Sequence, residues 1–409
     1  MPTDTLSDKT PILTAQCLDS IAQIEGAQWN ALAGDAQPFL RHEFLLALEE
    51  CGCASRRRGW VPRHLILREN GAAVAALPLY LKSHSRGEFV FDFSWANAYH
   101  QHGLQYYPKL LTAVPFTPVT GQRLLIADAT RREQLATALI RAALEVAREL
   151  EVSTWHVLFP TPDEAEALRQ AGLILRRDCQ FHWYNRGYAG FEDFLATFTA
   201  EKRKKAKRER RRVAEAGIVF DTLHGDEVDA ALWRTLYGFY ADTFHRHGHE
   251  PYLNLDFFTR IARALPRNLM IKLARIGGAP VAAAIFFRDA QALYGRYWGS
   301  GGNYHSLHFE TCYYQGIDYC IEQGLARFEP GTQGEHKVPR GFVPTLTGSA
   351  HFVAHPGFAP AIRDFAAREA RAVEDYAQGV NEHLPFHRDE MGAVGPELRL
   401  ADSLETRAR

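Results

Sequence analysis

The sequence predicts a mixed α/β fold of two tandem units. Three observations predict it: the length, a hairpin that recurs at a constant offset, and the same order of elements after each hairpin. At 409 residues the chain exceeds what one hydrophobic core usually organises. Hydrophobic residues at 46% and charged residues at 23% supply apolar surface for two sizeable cores and exclude wholesale disorder.

The repeat appears when Asn70-Gly71-Ala72-Ala73-Val74-Ala75-Ala76-Leu77 is laid over Gly277-Gly278-Ala279-Pro280-Val281-Ala282-Ala283-Ala284, at a constant offset of 207 residues. His64-Leu65-Ile66-Leu67 and Met270-Ile271-Lys272-Leu273 precede the two copies, and Leu79-Tyr80-Leu81 and Ile285-Phe286-Phe287 follow them. Strand, glycine turn and small-residue strand predict two hairpins.

Each hairpin is followed by an amphipathic helix and a short strand ending in proline. In the first half Leu135, Leu139, Ala142, Val146 and Leu150 share a helical face, and the strand is Thr154–Phe159 before Pro160. In the second half Phe309, Tyr313, Gly316, Ile317, Cys320 and Ile321 share a face between Ser306, a cap, and Gly324, a stop; Ala326–Glu329 before Pro330 is the strand. This order predicts units at residues 11–188 and 189–385, flanked by flexible ends at 1–10 and 386–409.

Net charge of −1 excludes a protein that coats nucleic acid or an anionic membrane with its whole surface. The polar N-terminus and the lack of an 18-residue apolar run point to the cytoplasm. Cys17, Cys51, Cys53, Cys179, Cys312 and Cys320 are too scattered for a disulfide framework. The close pair Cys51 and Cys53 reads as two ordinary thiols.

Three segments carry candidate chemistry. Lys202 to Arg212 holds nine cations and one anion. It is either a helix that lands a polyanion, with Lys204, Lys205, Arg208 and Arg211 as contacts, or a solvated helix paired with carboxylates elsewhere. Gly331-Thr332-Gln333-Gly334-Glu335-His336-Lys337-Val338-Pro339-Arg340-Gly341-Phe342 follows a core strand, where α/β folds place ligand sites. Within it Glu335, His336 and Lys337 are the catalytic candidates, and Gln333, Gly334 and Arg340 would bind substrate; the alternative is a tight turn with surface charges. The third segment runs from Asp92 to Lys109 and on through Pro115–Gly121. Trp95, Tyr99, Tyr106 and Lys109 would wall a cleft for a peptide or sugar, or the rings cover a sheet edge. His245-Arg246-His247-Gly248-His249 lacks partner ligands for a metal and reads as a loop beside the cleft. No metal is expected.

Trp95–Tyr99, Tyr106–Leu110, Pro115–Gly121 and Gly331–Phe342 are long and compositionally unusual, and in them the sequence resembles the FemAB-like family of peptidoglycan biosynthesis or recognition proteins. The resemblance spans roughly Phe39 to Pro385. It implies tandem GNAT-type acyltransferase domains and, through the related Fem peptidyltransferases, aminoacyl-tRNA as donor and a peptidoglycan precursor as acceptor. Lys202–Gly217 is similar to the basic helix that opens the second Fem domain. In a GNAT unit the strand ending at Arg296 and the helix bearing Glu310 flank the cleft, which adds both residues to the substrate-binding candidates, with mutual structural pairing as the alternative. Ser300-Gly301-Gly302-Asn303 departs from the Gln/Arg-x-x-Gly-x-Gly/Ala spacing that holds a CoA pyrophosphate, which weakens acyl-CoA as donor. The expected activity is acyl or aminoacyl transfer to an amine of a peptidoglycan-precursor-like, peptide or glycopeptide acceptor, with no permanently bound cofactor. A CoA-dependent N-acyltransferase and a non-catalytic glycan- or peptide-binding module are the alternatives.

Overall fold

The computed structural model describes residues 13–35, 37–332 and 334–387. Gln333 and the segments expected to be flexible up to residue 10 and from residue 388 lie outside the described residues. The strands are β1 (Leu13–Leu18), β2 (Trp60–Pro62), β3 (His64–Glu69), β4 (Ala72–Leu77), β5 (Tyr80–Lys82), β6 (Lys109–Thr112), β7 (Thr154–Leu158), β8 (Ile174–Tyr184), β9 (Ile218–His224), β10 (Leu269–Ile276), β11 (Ala279–Arg288), β12 (Ala292–Ser300), β13 (Arg327–Glu329) and β14 (Val343–Val353).

Both predicted hairpins form. The turns Asn70-Gly71 and Gly277-Gly278 have positive φ at both residues, which matches the right-handed twist of the strands they join. The duplication reaches further than the turns. A bulge falls between Leu67 and Arg68 in β3 and between Ala274 and Arg275 in β10, the same repeat position. Arg68 and Arg275 each donate to the carbonyl of their own turn glycine, Gly71 at 3.0 Å and Gly278 at 2.8 Å. Each then reaches the neighbouring strand, Arg68 to Gln16 on β1 and Arg275 to Asp221 on β9.

Each half continues with a helix, Arg132–Glu149 or the run Leu307–Glu322, and a strand that pairs in parallel: β6 with β7 and β12 with β13. The next strands are then exchanged. β8, from the first half, lies against β13; β14, from the second, lies against β7; and the two pair with each other antiparallel from Val343 opposite His182 to His351 opposite Ile174. One eleven-stranded sheet results, in the order β2-β5-β6-β7-β14-β8-β13-β12-β11-β10-β9, beside a small sheet of β1, β3 and β4. The linker at 185–190 follows β8 and precedes the helix Phe191–Ala196, so the chain passes from one half to the other just after its exchanged strand.

The exchange leaves neither β8 nor β14 an open edge. The helix Phe358–Asn381 crosses both, and the Arg176–Glu369 and Arg177–Glu374 ion pairs clamp it there. The chain stays packed past this helix: Phe386 is buried and bridges to Phe198.

Candidate active site

The site begins where β12 and β13 part. They pair only from Ala292–Arg327 to Tyr294–Glu329; β12 then runs on to Ser300 while the other strand turns off at Pro330-Gly331. The crossing is close. A Cβ on Gly295 would stand 3.2 Å from the Pro330 Cα, and Gly331 has φ of 94°. Beyond Tyr294, the β12 backbone therefore has no strand partner among the described residues on the side away from β11.

A cavity of about 620 Å³ opens in this gap. Arg296, Tyr297 and Trp298 of β12 form one wall and Gly331, Thr332, His336 and Lys337 another. Phe89 and Pro118 of the first half close it, and His247 and His249, after the helix Ala230–Arg246, line it as the loop reading expected. A second cavity of about 540 Å³ adjoins it at Trp298 and His308 and is bordered by Arg246 and Ser300–Tyr304.

The turn Glu335–Arg340 positions the polar groups. His336 Nε2 hydrogen-bonds the Tyr313 hydroxyl at 2.7 Å, and burial together with Lys337 and Arg340 lowers the imidazole's pKa. Lys337 is 1% exposed, and its ammonium donates to the Gly331 carbonyl; burial brings its pKa down to about 7. Burial lowers the pKa of Arg296, whose guanidinium donates to the Phe116 carbonyl across the two halves.

Other sequence candidates sit elsewhere. Glu335 faces solvent and accepts from the Tyr376 hydroxyl. Arg340, expected to bind substrate, is instead consumed in a buried ion pair: it holds Glu209 at 2.7 and 3.1 Å, donates to the His336 carbonyl and lies 3.4 Å over the Phe309 ring. Glu310 is buried beside Arg210 and Gln315, and burial raises its pKa; its partner is Arg210, not Arg296. Gly334 has φ of 97° and starts the turn.

Trp95, Tyr99, Tyr106 and Lys109 do not wall the cavity. Trp95, Tyr99 and Tyr106 pack between the helix Phe93–Gln101 and the C-terminal helix, with Trp95 against His351 and Tyr99 stacked on Phe358, which is the sheet-covering alternative. Lys109 is fully buried between Glu88 at 2.7 Å and Asp92 at 2.5 Å. Burial opposes its charge, but the two carboxylates outweigh that and raise its pKa. Glu88, Asp92 and His156 are spaced to ligate a metal ion, but Lys109 Nζ approaches all three, so an ammonium supplies the positive charge there. The proline-fixed segment Pro115–Gly121 does reach the cavity, through Pro118.

On the helix Ala200–Glu215, Ala206, Glu209 and Val213 face inward while Lys204, Lys205, Arg208 and Arg211 are exposed. Of the four, Arg211 pairs with Glu215. Arg210 and Lys207 do pair with distant carboxylates, as the structural alternative expected, but the outer face keeps its positive charge.

Sequence reasoning missed His308, Cys312 and Tyr313 as cavity residues. Cys312 and Tyr313 stand on a π-helical turn, Glu310–Tyr314, whose wider spacing turns side chains off the face that a 3.6-residue period assigns.

Two sheet-and-helix units, each with a parallel pair, and a cavity where one pair splays define a tandem GNAT-type α/β protein. The sequence matches the FemAB-like family, described as peptidoglycan biosynthesis/recognition, over residues 20–388, and the chain belongs to that family. The crystal structure of FemX is similar at a TM-score of 0.52 and 12% identity, covering 83% of this chain and 98% of that one. The C-terminal domain of a putative lysylphosphatidylglycerol synthetase from Agrobacterium fabrum is similar at 0.52 and 10% identity, covering 85% and 97%. At these identities the likeness is one of fold. A search of the curated proteins finds no match. Among the described residues no helix is long and apolar enough to cross a membrane.

Proposed function

We propose that the protein transfers an acyl or aminoacyl group onto the amine of a peptidoglycan-precursor-like or peptide acceptor, with Lys337 taking the proton the amine must lose. The observation that carries this reading is Lys337 itself: a buried lysine on the cavity wall that donates to the Gly331 carbonyl and whose pKa burial brings down to about 7. An amine attacks an acyl carbon only through its free lone pair: the acceptor ammonium's first proton passes to the Lys337 Nζ, the C–N bond forms as the donor's ester or thioester bond breaks, and the amine's second proton goes to the released hydroxyl or thiol. His336, hydrogen-bonded to Tyr313, relays protons beside it. On the side away from β11, the backbone of β12 past Tyr294 would offer N–H donors to the oxyanion.

Aminoacyl-tRNA is the proposed donor, supported by the exposed cationic face of the helix Ala200–Glu215, whose inner face is tied to the site turn through Glu209 and Arg340. The adjoining cavity beside Ser300–Asn303 favours a second reading, acyl-CoA.

The experiment measures amide formation from each donor as a function of pH. Lys337→Met and Lys337→Arg should both lower turnover by about 10²- to 10⁴-fold, because neither can accept a proton near neutrality. The wild-type rate should rise through a limb at about 7, the value of Lys337. A flat profile, or full activity in Lys337→Met, would remove Lys337 as the base. With Lys204, Lys205, Arg208 and Arg211 changed together to Gln, a tRNA donor should lose affinity and salt dependence, whereas acyl-CoA turnover should be unchanged.

A further inference from the structure

Among the described residues that line the main cavity, none is Asp or Glu, although two Lys/Arg side chains and four histidines are present: Arg296, Lys337, His247, His249, His308 and His336. A chain with net charge −1 has carboxylates to spare, and elsewhere it uses them. Buried Lys109 has Glu88 and Asp92, and buried Arg340 has Glu209. Arg296 is held by the Phe116 carbonyl and by Tyr297, and Lys337 by the Gly331 carbonyl, while Glu329, whose charge reaches Arg296, is hydrogen-bonded to Arg327 at 2.8 Å. A buried guanidinium that must share the charge of Glu329 with Arg327 is under-compensated, and a bound anion restores the balance. The other walls are rings: Phe89, Phe244, Tyr252, Tyr297 and Trp298.

We infer that the acceptor is an amino-acid-like molecule, a free amino acid or a short peptide with a free amino terminus, whose carboxylate binds Arg296 and whose apolar side chain lies among these rings. This rests on the acyltransferase reading and names its substrate class. Amine and carboxylate then sit on one small ligand, the amine toward Lys337. A guanidinium presents paired N–H donors to a carboxylate, and only some are used on Phe116 and Tyr297. A cavity of about 620 Å³ has room for such a ligand.

The test reads binding rather than turnover. N-acetyl-L-phenylalanine and its uncharged amide are titrated into the full-length protein by calorimetry, with AMP as a phosphate-bearing comparison. The acid should bind at least about tenfold more tightly than the amide. Arg296→Gln should abolish that preference, and Arg296→Lys should retain part of it. Because Arg296→Gln also removes the tie to Phe116, Lys337→Met, which leaves that tie intact, is measured beside it and should narrow the preference too. Equal binding of acid and amide, or tighter binding of AMP than of the acid, would overturn the inference while leaving acyl transfer to other amines open. Selective binding of the acid with no amide formed from any donor would instead sink the acyltransferase reading and keep the carboxylate site.

Discussion

The two halves share a hairpin, a bulge and a parallel strand pair, and the cavity at the candidate site opens where the pair of the second half parts. In the second half β12 and β13 part and nothing fills the gap. In the first half the chain after β6 folds back as Pro115–Gly121 beside the end of β7. Arg123 donates to the Leu158 and Val119 carbonyls, Gln37 to that of Thr120 and Gln180 to that of Pro118, while Gly121 donates to the Phe159 carbonyl. Every one of these groups spends its hydrogen bonds inside the protein. The filled half then becomes a wall for the open one, since Pro118 lines the cavity, Phe116 stacks on Tyr252 at 4.9 Å and its carbonyl anchors Arg296. The segment after β6 thus forms the far side of the cavity in the second half.

Buried charge divides the same way. In the first half Lys109 is matched by Glu88 and Asp92, with Ser85 and Tyr106 completing the hydrogen bonds of Asp92. In the second, Lys337 has no carboxylate partner among the described residues and donates to the Gly331 carbonyl. Paired buried charge stabilises a structure against the loss of either partner, while unpaired buried charge stores a cost that a reaction can use.

Three variants test that contrast, beginning with the largest effect. Lys109→Met leaves two buried carboxylates facing each other and should cost about 3–5 kcal/mol in denaturant unfolding, with turnover per folded molecule unchanged. A loss of turnover without a loss of stability would place Lys109 in the chemistry after all. Phe116→Ala opens the filled half and should cost about 3 kcal/mol, and because it loosens the Arg296 anchor it should also raise KM more than it lowers kcat. Lys337→Met should do the opposite to stability. The folded value of about 7 lies below the lysine's ordinary 10.5, so between those values the unfolded chain binds more protons and wild-type stability rises with pH. The methionine variant should lose that slope and gain about 1 kcal/mol or more at pH 8, read by thermal or urea unfolding at several pH values.

Much of the fold was legible because it is written in local patterns. Paired positive-φ positions at 70–71 and 277–278, alternating small residues and a helix ending at Gly217 are each specified within a few residues. The turn around His336 stood out as a candidate for the same reason, three glycines and four charged or titratable side chains after a core strand, and the structure puts His336 and Lys337 on a cavity wall. The aromatic run from Trp95 to Lys109 was misread because rings and polar groups interleave alike in a cleft wall and in a buried network. Only the partners separate the two, and Glu88, His156, His351 and Phe358 come from distant parts of the chain. Arg340 illustrates the same gap, since Glu209 stands 131 residues away.

The sequence alone determined that a sheet-and-helix unit occurs twice, where its hairpins turn, and that one helix carries a strongly cationic face. Those properties follow from backbone preference and periodicity, which act over neighbouring residues. Tertiary structure decided that β8 and β14 change places, that the segment Pro115–Gly121 walls the cavity of the second half, and which buried cations find a carboxylate. Pairing and desolvation depend on groups far apart in the chain, and their energies exist only once the fold has brought those groups together.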